Sequence, residues 1–292
     1  MSNDRLTVAV AQMESRLGDP EHNLATHLRM VDRARSEGID CLLFPEFSLT
    51  GHGPGVSALE LALKRDHPAV KTIAAASGPM CTVFGLIEEG PAAQFYNSAI
   101  AVKDGELAFI HRKIALATYG RLEDGKHFAS GRYVETFMLR PDWRVSVLIC
   151  NDLWNPALVH LAALHGATLL LAPVSSGREA VGAEFDNPGG WERALTFYAS
   201  IYGLPIAFAN RVGADGDLSF WGGSRILDPF GRTLAQAEAD GEALTVAELD
   251  FEALRRSRYQ LPTVRDSNLS LIAREIARLE HIIGVPESLR RP

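Results

Sequence analysis

Cysteine is scarce in this chain of 292 residues: Cys41, Cys81 and Cys150 are the only three. An odd, widely spaced set argues against a disulfide framework. Long hydrophobic runs are also missing. No stretch approaches the roughly 20 apolar residues that cross a bilayer, and the run Leu6 to Ala11 is too short and too poorly flanked for a signal peptide. A soluble cytoplasmic protein without a membrane partner is the expectation. Positive charge is in deficit, with 29 Lys and Arg against 36 Asp and Glu and a net charge of −7. Nucleic-acid binders carry the opposite balance or a basic patch, so no nucleic-acid partner is expected. The densest basic runs, Arg255-Arg256-Ser257-Arg258 and Arg290-Arg291, read as solvated surface. There is no low-complexity linker, no composition break and no repeat of 20–50 residues. The nine histidines show no metal-ligand spacing; His160 and His165, five apart on a helix, do not share a face. What remains is a chain with 47% apolar residues, enough for a large core without disulfides or metals.

Apolar runs and helical patterns alternate. Leu6–Ala11 reads as a strand. Leu24, Leu28, Val31 and Ala34 recur at helical spacing over Pro20–Glu37, with Asp19 as N-cap, Pro20 opening the helix and Gly38 closing it. Strand Cys41–Phe44 follows, then helical character over residues 56–76. Cys81–Ile87 and Ser98–Lys103 read as strands. Asp104-Gly105 is a hairpin-type turn into Leu107–His111. Val145–Ile149, Leu169–Ala172, Pro205–Ala209, Ser224–Asp228 and Ala243–Leu249 read as strands, Asn155–His165 and Trp191–Tyr202 as helices. A last helix, capped by Asp266 or Ser267, carries the apolar stripe Leu271, Ile272, Ile276, Leu279, Ile283. Such alternation predicts an α/β fold with helices on the faces of a sheet. Residues 1–266 form one domain in this reading; residues 267–292 are a C-terminal helix and tail of that domain or of a dimer contact.

Three apolar runs end on reactive side chains: Glu46 after Leu42-Leu-Phe-Pro45, Lys113 after Phe109-Ile-His-Arg112, and Cys150 after Val145-Ser-Val-Leu-Ile149. Only a few per cent of an ordinary thiol is ionised at neutral pH, so a nucleophilic cysteine needs a base or a positive site. Cys150 stands where a strand turns toward a helix, a place where backbone N–H groups can face an anion. A carboxylate at the end of an apolar strand is costly to bury unpaired, and burial makes it a stronger base. Lys113 would pair with it and stabilise an oxyanion. Taken singly, each residue also fits a plainer role: a buried structural cysteine, a surface glutamate and an exposed lysine.

Order and surroundings narrow the choice. Val8-Ala-Val-Ala-Gln12, Gly18-Asp19, Asn23-Leu24, Phe44-Pro-Glu46-Phe-Ser-Leu-Thr-Gly51, Tyr96-Asn-Ser98, His111-Arg-Lys113, Ile149-Cys150-Asn-Asp152, Ala209-Asn-Arg-Val-Gly213 and Gly222-Gly-Ser-Arg-Ile226 with Asp228-Pro-Phe-Gly231 follow one another in a pattern that resembles the nitrilase superfamily of carbon–nitrogen hydrolases, over roughly Leu6 to Asp266. The resemblance implies a four-layer α-β-β-α sandwich, no metal or organic cofactor, and homodimers or larger homo-oligomers built helix to helix. It places the family's catalytic glutamate, lysine and cysteine on Glu46, Lys113 and Cys150, and an oxyanion-binding backbone N–H on Asn151. The implied substrate is a small amide, carbamoyl compound or nitrile, cleaved through a thioester; amidase-type release of ammonia from a carboxamide is the first expectation. A non-catalytic binding protein of the same fold is the alternative from another class.

Many members carry a second active-site acid after the lysine. In Lys113-Ile-Ala-Leu-Ala-Thr-Tyr119-Gly-Arg-Leu-Glu123-Asp124 the expectation falls on Glu123, with Asp124 as rival. This segment and Cys150-Asn-Asp-Leu-Trp154 are most similar to the glutaminase domain of glutamine-dependent NAD synthetases. That branch usually has Glu where Asn151 stands here, which bears on recognition of a substrate amino group. The sequence runs to Pro292 without an SGGxDS-like phosphate loop, so a free-standing amidase or an ammonia-donating subunit is expected. Tyr119, Trp154, Ser176 and Trp191 are candidate pocket residues, and Gly177 to Gly190 a candidate specificity loop.

Overall fold

The computed structural model describes residues 4–51 and 58–284. In chain order it opens with β1 (Arg5–Gln12), α1 (Pro20–Ser36), β2 (Cys41–Leu43), the single turn α2 (Ala58–Leu61), α3 (Pro68–Ser77), β3 (Cys81–Glu89), β4 (Phe95–Lys103) and β5 (Glu106–Arg112). A short α4 (Asp124–His127) leads to β6 (Thr136–Arg140), β7 (Trp143–Val147), α5 (Pro156–Leu164), β8 (Leu169–Val174), α6 (Asn187–Tyr202) and β9 (Ile206–Asn210). The hairpin β10 (Val212–Asp215) and β11 (Leu218–Trp221) precedes β12 (Arg225–Leu227), β13 (Thr233–Gln236), β14 (Ala243–Asp250), α7 (Phe251–Gln260) and α8 (Leu269–Gly284).

Two six-stranded sheets result, ordered β14-β1-β2-β3-β4-β5 and β13-β12-β9-β8-β7-β6. In each, parallel strands occupy the middle and antiparallel pairs the edges. Side chains alternate across a strand, and β1 shows where each face goes. Leu6, Val8 and Val10 join Val145, Val147, Leu169 and Leu171 of the other sheet in one core. Ala9 and Ala11 pack instead with Val31 and Ala34 of α1 and Ile73 of α3. Leu158, Val159 and Ala162 of α5 and Trp191, Leu195 and Tyr198 of α6 belong to the first of these cores, on the second sheet's side. The layers are therefore α-β-β-α, with α1 and α3 outside one sheet and α5 and α6 outside the other.

Most expected elements form within a residue or two. Asp19 caps α1 by accepting from the His22 N–H, and Asp104 and Gly105 both take positive φ, as a two-residue hairpin turn requires. Four differences have physical causes. The helix expected over 56–76, whose first two residues lie outside the described ones, is broken: Leu63 pairs with β3 through Leu63 N–Ile87 O and Glu89 N–Leu63 O, and Pro68 restarts the helix. The strand expected to reach Ile149 stops at Val147, because the Ile149 N–H turns to the Asp152 carboxylate. Helix α8 is capped by Asn268, not Asp266 or Ser267. Within the basic run on α7, Arg255 and Arg256 are exposed, but Arg258 reaches inward to the carbonyls of Ala167, Tyr202 and Gly203. The strands β6, β10, β11 and β13 are too short or too weakly patterned to stand out in the sequence. Among the described residues, no helix is long and apolar enough to cross a membrane.

Candidate active site

The ends of both sheets meet around Glu46. After β2 the segment 44–51 continues along β3, with Phe44 N bonded to Val83 O and Leu49 N to Gly85 O. This close approach needs Gly85: a Cβ there would lie 2.3 Å from Phe47 N. Phe47 takes a positive φ of 53°, a conformation that costs a non-glycine residue on the order of 1–3 kcal/mol. His27 of α1 supports the turn from beneath, stacked on Phe44 and bonded to the Asn23 carbonyl and the Ser48 hydroxyl. Burial lowers its pKa to about 4. It is therefore neutral near pH 7, and its Nδ1–H donates to the carbonyl.

Glu46 is buried and fully engaged. Its Oε1 accepts from Lys113 Nζ at 2.8 Å and Asn97 Nδ2 at 2.7 Å, and its Oε2 from the Ser175 N–H at 2.8 Å. Lys113, which follows β5, also donates to Asp124 Oδ2 at 2.7 Å. Burial disfavours its charge, but Glu46, Asp124 and Cys150 outweigh that and hold its pKa well above the ordinary lysine range. Lys113 is a permanent ammonium between two carboxylates. Gly131 lets the 129–131 segment lie against this strand end, its N–H bonded to Lys113 O; a Cβ there would meet Arg112 O at 2.0 Å.

Cys150 opens a short 3-10 turn after β7, at a positive φ of 44°. Burial pushes its thiol pKa well up. Glu46 adds to the rise, Lys113 opposes it, Asp124 adds again, and the Ser175 N–H opposes. The resting group is a neutral thiol beside a carboxylate and an ammonium. Two residues on, the buried Asp152 accepts from Ile114 N, Ala115 N, Ile149 N and His111 Nε2.

The structure thus brings Glu46, Lys113 and Cys150 together, and the expectation for Glu123 is corrected. Glu123 is exposed and its carboxylate pairs with Lys126, three residues on. The Asp124 N–H bonds Ala117 O, which folds the loop so that Asp124 points in; its Oδ2 also accepts from Ala117 N. Among the pocket expectations, Tyr119 is 38% exposed and donates to Asn151 Oδ1 at 2.6 Å. Burial and then Cys150 raise its pKa, so the hydroxyl stays protonated. Asn151 Nδ2 donates in turn to Ala115 O. Trp154 is half-buried between Trp191 and Phe185. Trp191 and Ser176 are buried: Trp191 is 1% exposed, and its indole N–H and Asn187 Nδ2 both donate to the Ser176 hydroxyl. The loop after Gly177 is pinned to β11 through Arg178 and Glu179 on Ser219, and its end from Asn187 is the start of α6. Asn97, Ser175 and Asp152 went unrecognised in the sequence. The motif positions beside Tyr96, Lys113 and Cys150 were the available signal for Asn97 and Asp152; Ser175 had none.

Comparison with known proteins fits this geometry. The model of the carbon-nitrogen hydrolase family matches residues 7–259. A glutamine-dependent NAD(+) synthetase of Thermotoga maritima is 31% identical over 258 residues, 87% of this chain; the chain spans 44% of that relative's length. An (R)-stereoselective amidase of Pseudomonas sp. is 30% identical over 290 residues, covering 97% of this chain and all of the amidase. Among solved structures, an amidase of Nesterenkonia sp. AN1 bound to acrylamide superposes with a TM-score of 0.76 at 26% identity, over 92% of this chain and 97% of the amidase. Another variant of that amidase carries the acetamide moiety of fluoroacetamide covalently on its active-site cysteine.

Proposed function

The chain belongs to the carbon–nitrogen hydrolase family, and on that premise we propose that it hydrolyses a small carboxamide, releasing ammonia through a thioester on Cys150. The observation that carries this reading is the buried cluster in which Lys113 bonds both Glu46 and Asp124 beside the Cys150 thiol. Because that thiol is neutral at rest, its proton must leave as the carbon–sulfur bond forms. Glu46 takes it, and the amide carbon becomes tetrahedral. An ammonium has three donors; two of Lys113's serve the carboxylates, and the third, with the Asn151 N–H, holds the oxyanion. Each such donor is worth about 3–4 kcal/mol of transition-state stabilisation. Collapse breaks the carbon–nitrogen bond, and Glu46 returns the proton to the leaving nitrogen. Water deprotonated by Glu46 then cleaves the thioester, freeing the acid and the thiol. Asp124 keeps Lys113 charged and in place.

Ammonia donation from glutamine to a partner is the second reading, supported by the synthetase relative that this chain matches over less than half its length. A screen of ammonia release from simple amides, glutamine, carbamoyl compounds and nitriles, with Cys150→Ala as blank, separates the readings. Turnover of simple amides that Cys150→Ala abolishes is expected; release confined to glutamine favours the second. We also propose a homo-oligomer. Leu271, Ile272, Ile276, Leu279 and Ile283 on α8, beyond the family match, are exposed, and an apolar face of that size seeks cover.

A further inference from the structure

The Asp152 carboxylate is wholly buried and accepts four hydrogen bonds, from His111, Ile114, Ala115 and Ile149. The identity of the donors is what matters. Ile114 and Ala115 are the two residues after Lys113, and their N–H groups bond Oδ1 at 2.9 and 2.7 Å. Ile149 is the residue before Cys150, and its N–H bonds Oδ2 at 3.0 Å. His111, two residues before Lys113, bonds the same oxygen at 2.9 Å through Nε2. One carboxylate therefore clasps the backbone of both segments, which come from different sheets. On the far side of the nucleophile, Asn151 Nδ2 bonds Ala115 O, so the elbow is stapled before and after Cys150. Cys150 sits between these staples at a positive φ of 44°, a conformation that costs a non-glycine residue and persists only where its surroundings hold it; the Asp152 N–H to Ile149 O bond closes the same turn locally.

We infer that Asp152 is a positioning residue for the hydrolysis proposed above, a reading on which this inference rests. It sets the distance between thiol and ammonium. The need for a carboxylate follows from the donor count. An asparagine offers one acceptor oxygen and two N–H groups. Wherever its oxygen points, its amide faces donors on the other side, and either the Lys113 strand or the Cys150 elbow is released.

The test compares Asp152→Asn and His111→Gln with the full-length wild type. Cys150 alkylation by iodoacetamide is followed by intact mass, with Cys150→Ala as blank for Cys41 and Cys81. Ammonia-release kcat and KM, near-UV circular dichroism and the thermal midpoint are measured alongside. A misplaced nucleophile of this kind costs on the order of 100-fold. A folded Asp152→Asn is expected to lose about that factor in both alkylation rate and kcat while KM stays within about threefold. His111→Gln, which removes one donor of four, is expected to lose roughly fivefold in the same two quantities. A lower thermal midpoint with wild-type alkylation and kcat would make Asp152 merely structural and overturn the inference. If Asp152→Asn does not fold, His111→Gln decides: wild-type alkylation overturns the inference, and a parallel fall in alkylation and kcat supports it. Turnover that survives in Cys150→Ala sinks the hydrolase reading itself, while the alkylation comparison still reports on Asp152.

Discussion

Replacing Asp124 by alanine takes one of two carboxylates from a buried ammonium. Lys113 and Asp124 are each about 3% exposed in their side chains, and their bond is 2.7 Å. Breaking a buried pair by removing one partner costs about 3–5 kcal/mol, chiefly because a charge is left uncompensated. Lys113 keeps Glu46, so the lower end, about 3 kcal/mol, is the reasonable figure. In a domain of this size each kcal/mol moves the thermal midpoint by about 2–4 °C. A fall of roughly 6–12 °C in a calorimetric scan at pH 7 is therefore expected. Turnover should fall further than stability, by about 100-fold or more, since the lysine would no longer be held at the oxyanion position. Glu123→Gln is the control, one residue away. It removes an exposed contact with Lys126 and should change neither quantity. If the two variants behave alike, or if Asp124→Ala keeps wild-type turnover, Lys113 does not depend on Asp124 and the reasoning is wrong.

Further outcomes follow from the same contacts. His27, depressed to about 4 from 6.5 in the folded state, binds fewer protons folded than unfolded between those values. Its contribution is fully present above pH 6.5, and about 3 kcal/mol is lost as pH falls through 4; urea titrations from pH 7 to 4 should show a loss of that size that His27→Gln flattens. Asn97→Ala removes a charge-assisted bond to Glu46 and should cost about 1.5–3 kcal/mol, read as a lower urea midpoint, with reduced kcat. Sedimentation at micromolar concentration should give an oligomer mass that Ile276→Asp lowers; a wild-type monomer would leave the α8 face without the partner proposed for it.

An α/β fold was legible because buried strands and amphipathic helices alternate with clear periods; that the strands divide between two stacked sheets was implied only by the family resemblance. Glu46, Lys113 and Cys150 were legible because each ends an apolar run inside an ordered set of motifs. What lay hidden depends on direction and on distant partners. Glu123 and Asp124 are adjacent residues of one charge, and the side that faces in is set by contacts distant in sequence, the Asp124 N–H to Ala117 O bond and the Lys113 and Ala117 N–H bonds to its carboxylate among them. Trp191 and Ser176 suited a pocket by type, yet both are buried and bonded to each other. His27 interrupts the expected apolar stripe of α1, and its purpose appears only once Phe44 lies over it. Ser175 contributes a backbone N–H, a group that every residue but proline offers and no sequence pattern can distinguish.

The most direct test is intact-mass analysis of the protein quenched in acid during turnover of a small amide, with peptide mapping of any adduct. Expected is an added acyl group, without the amide nitrogen, on Cys150 alone, and its absence in Cys150→Ala and Glu46→Gln. Ammonia released at the wild-type rate by Cys150→Ala, or an acyl group mapped to another residue, would contradict the mechanism at its first step.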